Sequence, residues 1–280
     1  MGIFKCLSSL LLLVLPAVLL LNLPPGMCGC YKRIFSFGDS IIDTGNFVHL
    51  SRNGSSPYKE LPYGMTFFKN ATGPICDGRV LVDFYGFQLP MIPPNLPEQD
   101  TGSFPNGANF AVAGATAIPP DYYRRWNHSV PVPHSLGVQI GWFKEMLQRL
   151  APGDDDGAKR QLLNESLIVL GEIGGNDYNF WFTDGKQPHE QADQFIPDIV
   201  AYIGSFVQEL IGLGANSILI PNNFPIGCVP LYLSAFSSSK PADYDGQRNQ
   251  SPTHQPAADD APVLYPPATK SITNSRRNAC

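Results

Sequence analysis

The chain has 280 residues, of which 43% are hydrophobic and 15% charged, and its formal net charge is -5. That balance suits a globular chain with enough apolar material for one large core. With no basic stripe and an acidic pI, the sequence argues against nucleic-acid binding.

The first 29 residues read as a secretory signal peptide. Lys5 supplies the positive region, residues 10–21 form an apolar run interrupted only by Pro16, and Pro24-Pro25-Gly26 ends any helix. The run suits a signal better than a membrane span, and no later run reads as one, so no stable membrane insertion is expected. Asn-x-Ser/Thr sequons at Asn53, Asn70, Asn127, Asn164 and Asn249 fit a glycosylated, extracellular protein. Cys6, Cys28, Cys30, Cys76, Cys228 and Cys280 form no metal-like pair of doublets. Disulfides suit an oxidising compartment, but their pairing is not legible.

Residues 33–37 predict a short buried strand, followed by a tight turn at Gly38-Asp39-Ser40 and a helix starting near Ser40 or Asp43. Residues 51–105 are rich in Gly, Pro and Asn and read as loop, with apolar spacing over 80–89 for a short helix. Residues 109–115 are small and apolar. A helix over 136–150, with Ser135 placed to cap it, puts Leu136, Ile140, Phe143, Leu147 and Leu150 on one face. A second buried strand is expected over 166–170, with Gly174-Gly175-Asn176-Asp177 directly after it. A long helix then starts between Pro188 and Pro197. Its core face is Phe195, Ile196, Ile199, Val200, Ile203, Phe206, Val207, Leu210 and Ile211, with Gly212 and Gly214 as stop signals. Residues 217–220 predict a third strand. Residues 246–280, rich in Pro, Ala, Ser and Asn, read as a disordered tail.

Strands alternating with helices, and strands that are continuous apolar runs, argue for a parallel sheet covered on both faces. Ligands of such sheets collect beyond the carboxyl ends of the strands, where both Ser40 and Asn176 fall. Ser40 is a candidate nucleophile, because a serine at a strand-to-turn junction exposes its hydroxyl beside free backbone N–H groups. Those groups can stabilise negative charge on an acyl oxygen. Gly114 lets a substrate approach the backbone, and the Asn176 amide offers a further donor. With the Ser40 N–H they form a candidate oxyanion hole.

The blocks 34–40 with 43–46, 108–116 and 171–178 resemble three ordered blocks of the plant GDSL esterase/lipases. Further matches lie at Asp77-Gly78-Arg79 with Asp83-Phe84, at Gln139 with Trp142-Phe143, at 225–230 and at 241–245. The resemblance implies a partial hydrolase domain over residues 30–245, with the flavodoxin-like three-layer α/β/α sandwich of the SGNH hydrolases. It implies Ser40 as nucleophile and the Ser40 backbone, Gly114 and Asn176 as oxyanion donors. The implied partner is a small-molecule or polymer-linked acyl ester, without cofactor or metal. If the source is a plant, the location is the cell wall or apoplast.

Ile41 stands where the family name has Leu, a small departure. A larger one is that the family's catalytic Asp-x-x-His occurs nowhere in the 280 residues. His49, His128, His134 and His189 lie among the shared blocks and read as surface residues. His254 follows the last match and has no Asp three residues before it. The match breaks off at Asp245, as if the C-terminal part of the fold were missing. The expectation is therefore an ester hydrolase impaired for want of its base, or a non-catalytic ligand-binding form. A bare sheet edge and poor solubility are expected with it.

Overall fold

The computed structural model describes residues 31–51, 56–85, 89–95, 104–153, 156–183, 192, 194–225 and 229–235. The expected signal peptide and tail, with His189 and His254, lie outside the described residues.

Four parallel strands set the frame. β1 (Arg33–Phe37) lies between β2 (Gly107–Asn109) and β3 (Ser166–Leu170), and β4 (Ile218–Leu219) pairs with β3. Ile34 sits opposite Gly107 on one side and Leu167 on the other. The order β2-β1-β3-β4 is that of the doubly wound, flavodoxin-like sheets, whose topological switch lies between β1 and β3.

The period-two rule sorts the strand side chains onto two faces. Phe35, Phe37, Ile168 and Leu170 join the larger core cluster, whereas Ile34 and Val169 join the smaller. The larger face carries α3 (Leu136–Leu150), α5 (Gly175–Thr183) and α6 (Ile196–Leu213), together with buried Leu163 of α4 (Asp156–Asn164). At its centre Phe143 of α3 lies 5.2 Å from the ring of Phe35, 5.2 Å from that of Phe37 and 5.5 Å from that of Phe110. The opposite face is thinner. Val80 and Ile92 cover it, with Val82 of the short α2 (Val82–Tyr85) and with Ile42.

Several expectations change in detail. No helix forms at Ser40 or Asp43; α1 (Asn46–Leu50) begins after a turn, because Asp43 binds the backbone N–H groups of Gly45 and Asn46 and so holds the helix start beyond them. The helix expected over 80–89 is four residues long among the described residues. Ser135 is the N-cap residue of α3, but its side chain makes no capping bond.

Leu150 is partly buried and packs against the core as expected, whereas Ile211 leaves the expected core face and is 56% exposed at the end of α6. The strand expected over 217–220 shortens to two residues, and Leu219 is 38% exposed. Among the described residues β4 has a strand on one side only, so its outer edge lacks the second neighbour that would lengthen and bury it.

The sequence reading found no later run able to span a membrane, yet α6 is long and apolar enough by length and composition. Its buried stripe Ile199, Ile203, Phe206 and Leu210 belongs to the core, and Glu209 pairs with Lys144 of α3. Helix α6 therefore packs as an amphipathic core helix.

Phe143→Ala is expected to lower unfolding stability by about 3–5 kcal/mol, since it empties a site ringed by three aromatic partners. Urea denaturation monitored by circular dichroism measures it. A loss below about 1 kcal/mol would show that the cluster closes over the gap.

Candidate active site

The three shared sequence blocks meet beyond the carboxyl ends of β1, β2 and β3. The Asp39 N–H donates to the carbonyl of Glu172, 3.1 Å away, which ties the loop after β1 to the loop after β3. Asp43 ties the same loop to the segment after β2. Its carboxylate accepts from the N–H groups of Gly45 (2.7 Å), Asn46 (2.7 Å), Phe47 (3.1 Å) and Ala113 (2.8 Å). Beneath it, the Asn46 amide donates to the carbonyls of Asn109 and Ala111, and the Asn109 amide donates to Ser36 Oγ and the carbonyl of Ile42.

Gly114 stands at a tight turn in which the Ala115 N–H donates to the Val112 carbonyl at 2.9 Å. Its φ of +81° and the 2.7 Å that would separate a Cβ from Val132 Cγ2 leave room for glycine alone.

Asn176 lies in the first turn of α5. Its Nδ2 donates to the Ala115 carbonyl at 3.0 Å and to Asp39 Oδ2 at 3.3 Å. Its Oδ1 accepts from the Asn179 amide at 3.1 Å, and Asn179 Oδ1 accepts from the Tyr232 hydroxyl at 2.6 Å. This chain from α7 (Pro230–Ala235) fixes which way the Asn176 amide points, because its oxygen is held on the Asn179 side.

Ser40 and Asn176 open on one pocket of about 110 Å³, which Asp39, Ile41, Glu172, Gly175, Asn179, Asn223, Phe224, Val229 and Tyr232 also line. Gly114 is not on its wall; it connects to the site through its neighbour Ala115, the acceptor of the Asn176 amide. Of the wall residues, Asn179, Asn223, Phe224 and Tyr232 are not singled out by the sequence. Asn179 follows Asn176 by three residues, a helical spacing, but the sequence reading places its next helix only after Pro188 and so misses α5. Tyr232 had no local signal.

The site is acidic. Burial raises the carboxyl of Asp39 well above the usual range, and neighbouring Glu172, Asp177 and Asp43 add to the effect. Burial also raises Asp43 and Glu172, partly offset by backbone donors. Asp177 accepts from the N–H groups of Ala117 and Ile118 and from the Tyr123 hydroxyl, yet burial still pushes it up to about 6. Among the described residues no group of three or more metal-ligating side chains could hold a metal.

No described histidine lines the pocket. His49 is exposed, as expected. His128 is 2% exposed, with its ring 5.4 Å from that of Trp181, and His134 is half-buried beside Trp142. The expectation of a surface position fails for His128, whose ring is buried among aromatic partners, and holds in part for His134. Cys76 is a free thiol, and the other five cysteines lie outside the described residues.

The raised Asp177 fixes a pH dependence. Between an ordinary aspartate value near about 3.9 and a folded value of about 6, the folded chain keeps a proton that the unfolded chain has lost. Its contribution to stability is therefore complete at low pH and fades as pH rises through that window. Urea midpoints should fall from about pH 4 to about pH 7, by up to roughly 3 kcal/mol in stability. Asp177→Asn should flatten this slope at a lower overall midpoint. A parent midpoint that climbs across the window would contradict the burial argument.

The profile of the GDSL-like lipase/acylhydrolase family matches residues 34–271. A GDSL esterase/lipase of Arabidopsis thaliana is 42% identical over 221 residues, covering 78% of this chain and 55% of the relative. The sinapine esterase of Brassica napus is 40% identical over 245 residues, covering 86% of this chain and 62% of the relative. The chain thus spans between half and two thirds of the length of these relatives. On the match over residues 34–271, the chain belongs to the GDSL-like lipase/acylhydrolase family.

Proposed function

We propose that this chain carries the acyl-binding and nucleophile part of a secreted serine ester hydrolase. The observation that carries the reading is that Ser40 and Asn176, from two strands' carboxyl ends, open on one pocket. In this mechanism the Ser40 oxygen attacks the acyl carbon of an ester, and the carbonyl oxygen takes up the negative charge. The Ser40 N–H and the Asn176 amide, both at the pocket, receive that charge, and the Gly114 N–H, set off the pocket wall, is the third donor that the family resemblance implies. The alcohol leaves with a proton, and water then cleaves the acyl-serine to release the acid. The ester is an acyl lipid, an acetylated wall polysaccharide or an ester of a specialised metabolite, and the named relative adds sinapine to the panel.

The Ser40 proton needs an acceptor during attack. The described pocket wall holds no imidazole, and the sequence holds no Asp-x-x-His. That observation favours a second reading, a non-catalytic acyl-ester binder. Release of p-nitrophenol from a short-chain ester separates the two. The 280-residue chain should run near background and match Ser40→Ala. Appending an Asp-x-x-His-bearing segment from a relative should raise turnover at least about a thousandfold, and Ser40→Ala should abolish the gain. A folded appended form without that gain favours the binder.

Secretion is part of the same proposal. Asn70, Asn127 and Asn164 of the sequons are exposed, as N-glycosylation requires. Expression through a secretory pathway should give a mass excess that peptide N-glycosidase removes. Unmodified protein from such a host would count against it.

A further inference from the structure

Gly38 is the residue at which β1 leaves the sheet. The carbonyl before it, on Phe37, still accepts from the Gly171 N–H at 2.7 Å, and Gly38's own carbonyl accepts from the Val112 N–H at 3.2 Å. The Gly38 N–H is buried and faces no strand among the described residues. A buried N–H in that position needs a partner, or it costs as much as a lost hydrogen bond. The partner is a side chain 101 residues further along. Gly38 N–H donates to Gln139 Oε1 at 2.9 Å, and Gln139 Nε2 donates back to the Gly38 carbonyl at 2.9 Å.

Gln139 sits one turn into α3 and is 0% exposed. The second hydrogen on Nε2 goes to the His134 carbonyl at 3.2 Å. One acceptor site and both donors of the carboxamide are thus engaged, and its orientation has no freedom left. The other side of Gly38 is full: φ is +143°, and a Cβ would stand 2.9 Å from the Glu172 carbonyl oxygen and 3.0 Å from Ile42 Cγ2. The turn is held between a carboxamide on one side and backbone on the other.

We propose that Gln139 is a positioning residue for Ser40: its carboxamide replaces the missing strand partner of Gly38 and fixes where the turn presents the Ser40 hydroxyl. The consequence for Ser40 rests on the reading of Ser40 as nucleophile; the clamp on Gly38 does not. A neutral carboxamide offers the donors and the acceptor together at every pH. A carboxyl offers both only while protonated; once ionised it accepts alone and sets negative charge against the carbonyls of Gly38 and His134. Burial and those two carbonyls favour its protonated form.

Gln139→Glu and Gln139→Met in the 280-residue chain test this. Hydrogen–deuterium exchange of a peptide spanning residues 35–41, corrected for intrinsic rate, is followed from about pH 5 to about pH 8. Exchange in α6 serves as the internal reference, and Ser40 modification by a fluorophosphonate is read by mass on the same variants with the Asp-x-x-His-bearing segment appended. Parent protection should be flat with pH. Gln139→Glu should match the parent near about pH 5 and exchange about tenfold faster near about pH 8, with α6 unchanged. Gln139→Met should be about tenfold faster throughout, and Ser40 modification should slow in step with lost protection.

Gln139→Glu without pH dependence in this peptide, or with losses spread equally through α6, overturns the proposal. Unchanged Ser40 modification in Gln139→Met despite faster exchange also overturns it. A parent that is protected at residues 35–41 yet never modified at Ser40, even with the Asp-x-x-His-bearing segment appended, sinks the nucleophile reading, and with it the role for Ser40, while leaving the clamp in place.

Discussion

One carboxylate organises the site. Asp43 gathers four backbone N–H groups, three from the start of α1 and one from Ala113, seventy residues later. Those donors belong to the segments after β1 and β2, which part once the bond from the Val112 N–H to the Gly38 carbonyl is made. A buried carboxylate with several backbone donors holds such segments at fixed spacing, since charge-assisted bonds are short and directional. Asp177 repeats the device from the other side, binding the N–H groups of Ala117 and Ile118. The Gly114 turn is thereby fastened at both ends to the residues that flank Ser40 and Asn176.

Such fastening has an electrostatic cost. Asp39, Asp43 and Asp177 are buried near one another, and desolvation is the largest influence on each. No lysine, arginine or histidine stands among the described residues of the pocket wall to offset them. Neutral donors compensate, the backbone N–H groups with the Tyr123 hydroxyl on Asp177 and the Asn176 amide on Asp39, so the region gives up stability for a fixed arrangement of N–H groups, as functional sites commonly do. The stability comes from elsewhere, above all from the aromatic cluster of Phe35, Phe37, Phe110 and Phe143 on the opposite side of β1 from Ile34.

The residues that proved legible in sequence were those whose pattern is local. Strands 33–37 and 166–170 and helix 136–150 appear with the expected bounds, because apolar runs and helical spacing carry their own burial signal. Ile196–Leu213 had the same advantage at its C-terminal end, where Gly214 adopts φ +112°. The elements missed depend on distant partners. β2 is Gly-Ala-Asn, with no strand propensity, and exists because Gly107 can lie against Ile34 where a Cβ would come within 1.8 Å of its carbonyl oxygen. α4 buries only Leu163, too little for an apolar stripe. Ser40 and Asn176 were legible as members of ordered blocks. The wall that Tyr232 and Phe224 add to the pocket has no pattern in its own neighbourhood.

The same network bears on how an oxyanion enters the site. Both hydrogens of the Asn176 amide already have acceptors, the Ala115 carbonyl at 3.0 Å and Asp39 Oδ2 at 3.3 Å. On the proposed mechanism an acyl oxygen must displace one of them. The Ala115 bond is the shorter, and it anchors the turn that carries Gly114, so it is the one to keep. Asp39 is the weaker competitor, because burial keeps its carboxyl toward the neutral form and a neutral carboxyl accepts less strongly than a carboxylate. Meanwhile Asn179 and Tyr232 hold the amide oxygen away from the incoming charge. The burial that destabilises Asp39 therefore serves the site: it leaves one N–H of Asn176 lightly held and aimed in a fixed direction, as a preorganised donor requires.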